Sequence, residues 1–217
     1  MSTHETTLLF QGDSITDVGR SRQDTESHSP FALGAGYAKI VAARLLCEAP
    51  EKHWRIFNRG VSGNRVVDLY ARTESDILSL QPDILSILIG ANDTGARFFF
   101  GNGISVAKYE KIYRLLLAEC KDHFPHIRFL LGEPFVLPGE RVTTEWFGEI
   151  EERQEVVHRL ASEFDAKVIP FGKTFKEALE RAPADYWSTD GIHPTAAGHY
   201  LMAETWWKSF QALPSKS

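Results

Sequence analysis

Apolar residues follow two habits along this chain. Short unbroken runs are separated by longer stretches in which apolar residues recur every three or four positions. Residues 7–10 form one run, ending at Gly12. Residues 55–58 form a second, closed by Arg59-Gly60, and residues 84–89 a third that is almost wholly Ile and Leu. Two more lie at 128–131 and 167–170. Runs of this kind read as strands, and the Ile/Leu run as one covered on both faces. Between them, residues 36–46 carry apolar positions at helical spacing, and 66–80 reads as a helix that stops before Pro82, whose ring cannot continue it. Tyr109, Ile112, Tyr113, Leu116, Leu117 and Cys120 mark one helical face. Ile150, Val157, Leu160, Ala161 and Phe164 mark another, and a last helix is predicted over 195–210. Residues 19–35, 96–106 and 135–144 read as irregular.

Strands alternating with helices predict the α/β class with a mostly parallel sheet. No internal repeat, low-complexity tract or linker divides residues 1–217, so a single domain is expected. In such folds ligands bind beyond the carboxyl ends of the strands.

Composition removes several function classes. With 43% hydrophobic residues in 217, a packed interior is expected. A net charge of −5, with no run of Lys or Arg, argues against a nucleic-acid partner, which needs a basic face. Cys47 and Cys120 each sit in a stretch that reads as an apolar helical face. They are expected to be small buried hydrophobes, not a disulfide or metal ligands. The start Met1-Ser2-Thr3-His4-Glu5 lacks the basic residues and apolar run of a secretory signal, and no stretch is long enough to cross a bilayer. A cytoplasmic protein without a membrane partner is expected.

Four segments carry candidate chemistry: Gly12-Asp13-Ser14-Ile15-Thr16-Asp17, Gly60-Val61-Ser62-Gly63-Asn64, Gly90-Ala91-Asn92-Asp93 and Asp190-Gly191-Ile192-His193-Pro194. Ser14 follows the first strand and offers a nucleophile, or else caps a helix after a Gly-Asp turn. Asp190 lies three residues before His193, close enough to hold its imidazole tautomer. The competing reading is a capping Asp beside a surface His. Gly63 can bring a backbone N–H close to a ligand, and Asn92 can aim an amide N–H, although both are also common turn residues. Together they make a parts list for acyl transfer: nucleophile, base, orienting carboxylate and oxyanion donors. Ser62 is a poor nucleophile candidate, because Gly60-Val61-Ser62-Gly63-Asn64 fails the G-x-S-x-G elbow at its last position.

These segments resemble the GDSL esterase/lipase family, also called SGNH hydrolases. The four signature residues map onto Ser14, Gly63, Asn92 and His193, and the acid of the family pattern maps onto Asp190. The resemblance implies a three-layer α/β/α, flavodoxin-like fold with about five parallel strands, and a serine ester hydrolase without cofactor or metal. It implies Ser14 as nucleophile, His193 as general base and acid, Asp190 as its orienting partner, and Ser14, Gly63 and Asn92 as the oxyanion hole. Within the family the motifs look most like intracellular acetylxylan esterases, so an acetylated oligosaccharide is the expected substrate and a homo-oligomer the expected assembly.

Asp13, Tyr186, Trp187 and Phe98 are candidate substrate contacts. For Asp13 a loop-pinning role is favoured, and for the run Phe98-Phe99-Phe100 core or subunit packing is an equal reading. Trp206 and Trp207 are expected in the core or an interface. Alternatives are a lysophospholipase or thioesterase acting on longer acyl chains, a non-catalytic flavodoxin-like module holding phosphate at the first strand-to-helix turn, and a glycosidase using Asp13 and Asp190.

Overall fold

The computed structural model describes residues 5–24 and 29–213. The first four residues, which carry most of the stretch read for a leader, and residues 25–28 of the irregular 19–35 stretch lie outside the described residues. In chain order the elements are β1 (Thr6–Gly12), α1 (Ser14–Asp17), α2 (Tyr37–Glu48), β2 (Trp54–Asn58), α3 (Val66–Ala71), α4 (Thr73–Asp76), β3 (Ile84–Leu88), α5 (Ala91–Phe100), α6 (Val106–His123), β4 (Arg128–Gly132), α7 (Thr144–Glu163), β5 (Lys167–Ile169), α8 (Phe171–Ala178), α9 (Ala184–Trp187) and α10 (Ala196–Gln211).

Five parallel strands form one sheet in the order β2-β1-β3-β4-β5. The five apolar runs are these strands. Successive side chains point to opposite faces, so each strand feeds two cores. Leu8, Phe10, Ile84, Leu88 and Leu130 pack under α2, α8 and α10, while Leu9, Leu85, Ile87, Phe129 and Leu131 pack under α3, α6 and part of α7. The result is a three-layer α/β/α sandwich. Burying side chains of this size contributes roughly 1.5–3 kcal/mol each. Trp206 is fully buried against Phe10 and donates its indole N–H to the Ser86 hydroxyl at 2.9 Å. Gly12 is level with Leu88, and Leu88 with Gly132. The carboxyl ends of the central strands therefore form one rim. The chain runs outward from β1 to β2 and returns past it to β3, and a crevice opens where strand order reverses.

Three expectations need correction. The helix predicted over 66–80 is broken into α3, α4 and a 3₁₀ turn at Leu78–Leu80. Arg72 sits at the break, with its guanidinium bonded to Asn64, the Arg59 carbonyl, Gln11 and Asp76. Thr73 bonds back to the Tyr70 carbonyl at 2.9 Å, a habit that bends helices. Residues 96–100, read as irregular, complete α5, which ends at Gly101 in the left-handed conformation (φ 68°). Phe98 stacks on Trp146 of α7 at 5.5 Å and Phe99 meets it edge-on at 5.2 Å. Cys120 is buried as expected, but Cys47 is exposed. The buried face of α2 is Tyr37, Ala38, Val41, Ala42 and Leu45, and Cys47 lies two residues past it, on the far side of the helix. No helix among the described residues is long and apolar enough to cross a membrane.

Candidate active site

Asp13 starts the site by capping α1. Its carboxylate accepts the Ile15 N–H at 3.0 Å, and its carbonyl accepts those of Thr16 and Asp17. Ser14 is the first residue of this short helix, so its N–H has no intrahelical partner. The Ser14 Oγ lies 2.9 Å from Nε2 of His193, 179 residues away.

His193 is presented by a tight turn just before α10. Asp190 uses both carboxylate oxygens there. Oδ1 accepts the backbone N–H groups of Ile192 at 2.9 Å and His193 at 2.8 Å, while Oδ2 lies 2.8 Å from His193 Nδ1. Burial pushes the Asp190 carboxyl up, but the backbone and imidazole bonds from His193 and the Ile192 N–H outweigh it and hold the group down at about 2. It is ionised at any working pH. With Nδ1 donating to that carboxylate, Nε2 is left to accept the serine proton.

The second segment forms the loop after β2. Gly63 has φ 82°, a conformation that side chains rarely adopt. Its N–H and that of Ser14 donate to no acceptor among the described residues. Asp17 anchors this loop to α1, since its Oδ2 accepts the Ser62 N–H at 3.0 Å, the Ser62 hydroxyl at 3.1 Å and the Arg22 guanidinium at 2.7 Å. Ser62 is thus engaged with a carboxylate.

The third segment opens α5. Asn92 donates one amide hydrogen to the Asn64 carbonyl at 3.1 Å, which keeps the second available. Its neighbour Asp93 is buried and accepts the Val66 N–H at 3.1 Å. Loops from β2 and β3 are therefore laced together, and the loop from β1 is laced to that of β2. Burial is the main cause that lifts the Asp13 carboxyl to about 7 and the Asp93 carboxyl to about 6, and their mutual repulsion adds to the rise at Asp13.

Ser14, His193 and Asp190 are brought into one hydrogen-bonded line, with Gly63 and Asn92 on adjoining loops at the same rim. The candidate substrate contacts fare differently. Tyr186 is exposed, and Phe98 is partly exposed beside Trp146. Asp13 and Trp187 are buried and engaged within the protein. Asp13 is 1% exposed and caps α1, and Trp187 donates its indole N–H to the Ala178 and Ala182 carbonyls. Trp206 is core, whereas Trp207 is only partly buried, with Arg44 over its ring at 4.0 Å. Sequence reasoning missed Asp17 and Asn64 as supports of the site. Both lie inside the chemistry-bearing segments, which was the one available signal.

Residues 10–201 match the GDSL-like lipase/acylhydrolase family. The chain is 36% identical over 205 residues to an acetylxylan esterase of Geobacillus stearothermophilus, covering 90% of each protein. Among solved structures, a Parabacteroides merdae protein assigned as a GDSL-like lipase superimposes with a TM-score of 0.93 at 38% identity, covering 96% of this chain and 97% of that one. The Geobacillus acetylxylan esterase Axe2 superimposes with a TM-score of 0.86 at 32% identity over the full length of both. Catalytic mutants of Axe2, one replacing a serine and one an aspartate by alanine, match equally well. With a family match spanning most of its length, this chain belongs to the GDSL-like lipase/acylhydrolase family and is a carboxylic ester hydrolase.

Proposed function

We propose that this protein is a serine esterase that removes acetyl groups from sugars of the xylo-oligosaccharide type through an acyl-enzyme intermediate. The observation that carries the mechanism is the continuous relay from Ser14 Oγ to His193 Nε2 and from His193 Nδ1 to Asp190, with links of 2.9 and 2.8 Å. Ser14 Oγ attacks the ester carbonyl as His193 takes its proton. The oxyanion accepts hydrogen bonds from the N–H groups of Ser14 and Gly63 and from the Asn92 amide, each donor contributing about 10²–10³ in rate. Collapse breaks the bond to the sugar oxygen, which leaves with the proton from His193. A water then gives its proton to His193 and attacks the acyl group, releasing the acid and restoring Ser14. Asp190 orients the ring and stabilises its charged form.

The acetyl and sugar assignment is supported by the 36% identity to the Geobacillus acetylxylan esterase. Self-association is part of the same reading, supported by the exposed rings of Phe99 and Phe100 on α5. Mass spectrometry of acetylated xylo-oligosaccharides before and after incubation tests substrate and reaction together. Loss of acetyl by the wild type and none by Ser14→Ala is the expected result. A preference for esters of about eight carbons or more over acetyl would favour the lysophospholipase or thioesterase alternative.

A further inference from the structure

The connection between β4 and α7 closes onto the turn that carries the catalytic acid. Leu137 donates its N–H to the Gly191 carbonyl at 2.8 Å, and Arg141 donates its own to the Asp190 carbonyl at 3.3 Å. A Cβ on Gly139 would lie 2.5 Å from Gly191 N and 2.6 Å from the Asp190 carbonyl carbon, so only glycine lets these backbones touch. From this anchored backbone the Arg141 side chain reaches back toward the site. Its Nη1 is 3.5 Å from Asp190 Oδ2, and its guanidinium carbon is 5.2 Å from the ring centroid of Phe99. Oδ2 is also the oxygen that meets His193 Nδ1.

We propose that Arg141 is a positioning residue that shares the Asp190 carboxylate with His193 and so limits how strongly that carboxylate supports a protonated imidazole. The inference rests on the esterase reading above. Two cations facing one oxygen compete for it, and a charged His193 is disfavoured in proportion to the charge on Arg141. The cation–π contact with Phe99 holds the guanidinium in place. The other groups facing His193 do not mimic this effect. Asp190 lies on its own turn, and Ser14 of α1 offers a neutral hydroxyl. His199 of α10 is kept uncharged, because burial, reinforced by repulsion from His193, pushes it down to about 4. Arg141 is half exposed, so its effect is modest, about two- to fivefold.

The test is kcat/KM for a simple acetyl ester against pH, with wild type, Arg141→Met and Arg141→Lys. On the alkaline plateau, above about pH 8, all three agree within roughly twofold. On the acid limb Arg141→Met falls about two- to fivefold below wild type, since the imidazolium now has the carboxylate to itself. Arg141→Lys restores most of the loss. About 0.5 M NaCl draws the wild-type limb toward that of Arg141→Met and leaves the variant unmoved. Superimposable acid limbs, or an equal loss at every pH, overturn the role of Arg141 while leaving the esterase reading intact. A wild type that hydrolyses no ester overturns both.

Discussion

The Asn92 amide donates to the backbone carbonyl of Asn64 at 3.1 Å, so the loop after β2 sets the aim of a side chain at the head of α5. One amide hydrogen is used in this way and the other is directed by it. Asn92→Ala is expected to lower kcat by about 10²–10³ with little change in KM, the behaviour of a donor that engages only the transition state. Steady-state kinetics on an acetyl ester measure this. A rise in KM with kcat preserved would move Asn92 from oxyanion stabilisation to ground-state binding.

Asp17 is the tie between the nucleophile helix and the Gly63 loop, through the Ser62 N–H and hydroxyl. Asp17→Ala is expected to reduce kcat by about tenfold or more, because a loop displaced by a fraction of an ångström misplaces its donor. Ser62→Ala should cost much less, since the backbone N–H still reaches Asp17. Equal rates for both variants would show that the carboxylate does not hold the loop.

Asp13 gives a stability prediction with a definite sign. Burial raises it from an ordinary 3.8 to about 7. The folded state thus holds this proton more tightly than the unfolded chain does. The stability it contributes is complete below about pH 4 and is lost as the pH rises through 7. Asp13→Asn keeps an acceptor for the Ile15 N–H and cannot ionise. Urea unfolding at several pH values is expected to show the variant gaining on wild type as the pH rises from about 5 to 8. Parallel curves would mean that Asp13 titrates like an exposed carboxyl.

The two thiols should separate cleanly. Cys47 is exposed on α2, whereas Cys120 is buried in α6 and its thiol is pushed up to about 12, chiefly by burial. A thiol reagent at neutral pH is expected to label Cys47 rapidly in the native protein and Cys120 only after denaturation. Fast labelling of both would indicate that α6 opens from the sheet.

What was legible in the sequence divides along physical lines. β3 was plain because both its faces are buried, which leaves a run of Ile and Leu broken only by Ser86. Ser14, Gly63, Asn92, Asp190 and His193 stood out because each needs a particular functional group or backbone freedom in a short local frame. The end of α5 was hidden because Trp146, on α7, organises two of its three phenylalanines, Phe98 and Phe99. The break near Arg72 was hidden for a similar reason. Its side chain reaches Gln11, 61 residues away, and only the folded chain shows why a helix should stop there. Trp187 was drawn toward the site by its nearness to Asp190 in the chain, yet its indole turns inward to two carbonyls. Arg141 gave no signal, since nothing in its neighbourhood distinguishes it from any surface arginine until the Asp190 turn is laid against it.

The sheet order has a consequence for when hydrolysis can begin. Ser14 follows β1 directly, and His193 arrives only with the turn that precedes α10. A ribosome-bound fragment that stops at β5 already holds all five described strands and Ser14, yet it lacks the imidazole that stands 2.9 Å from that hydroxyl. On the proposed mechanism, turnover of even the simplest ester reports that the turn bearing His193 has reached the hydroxyl that β1 presents.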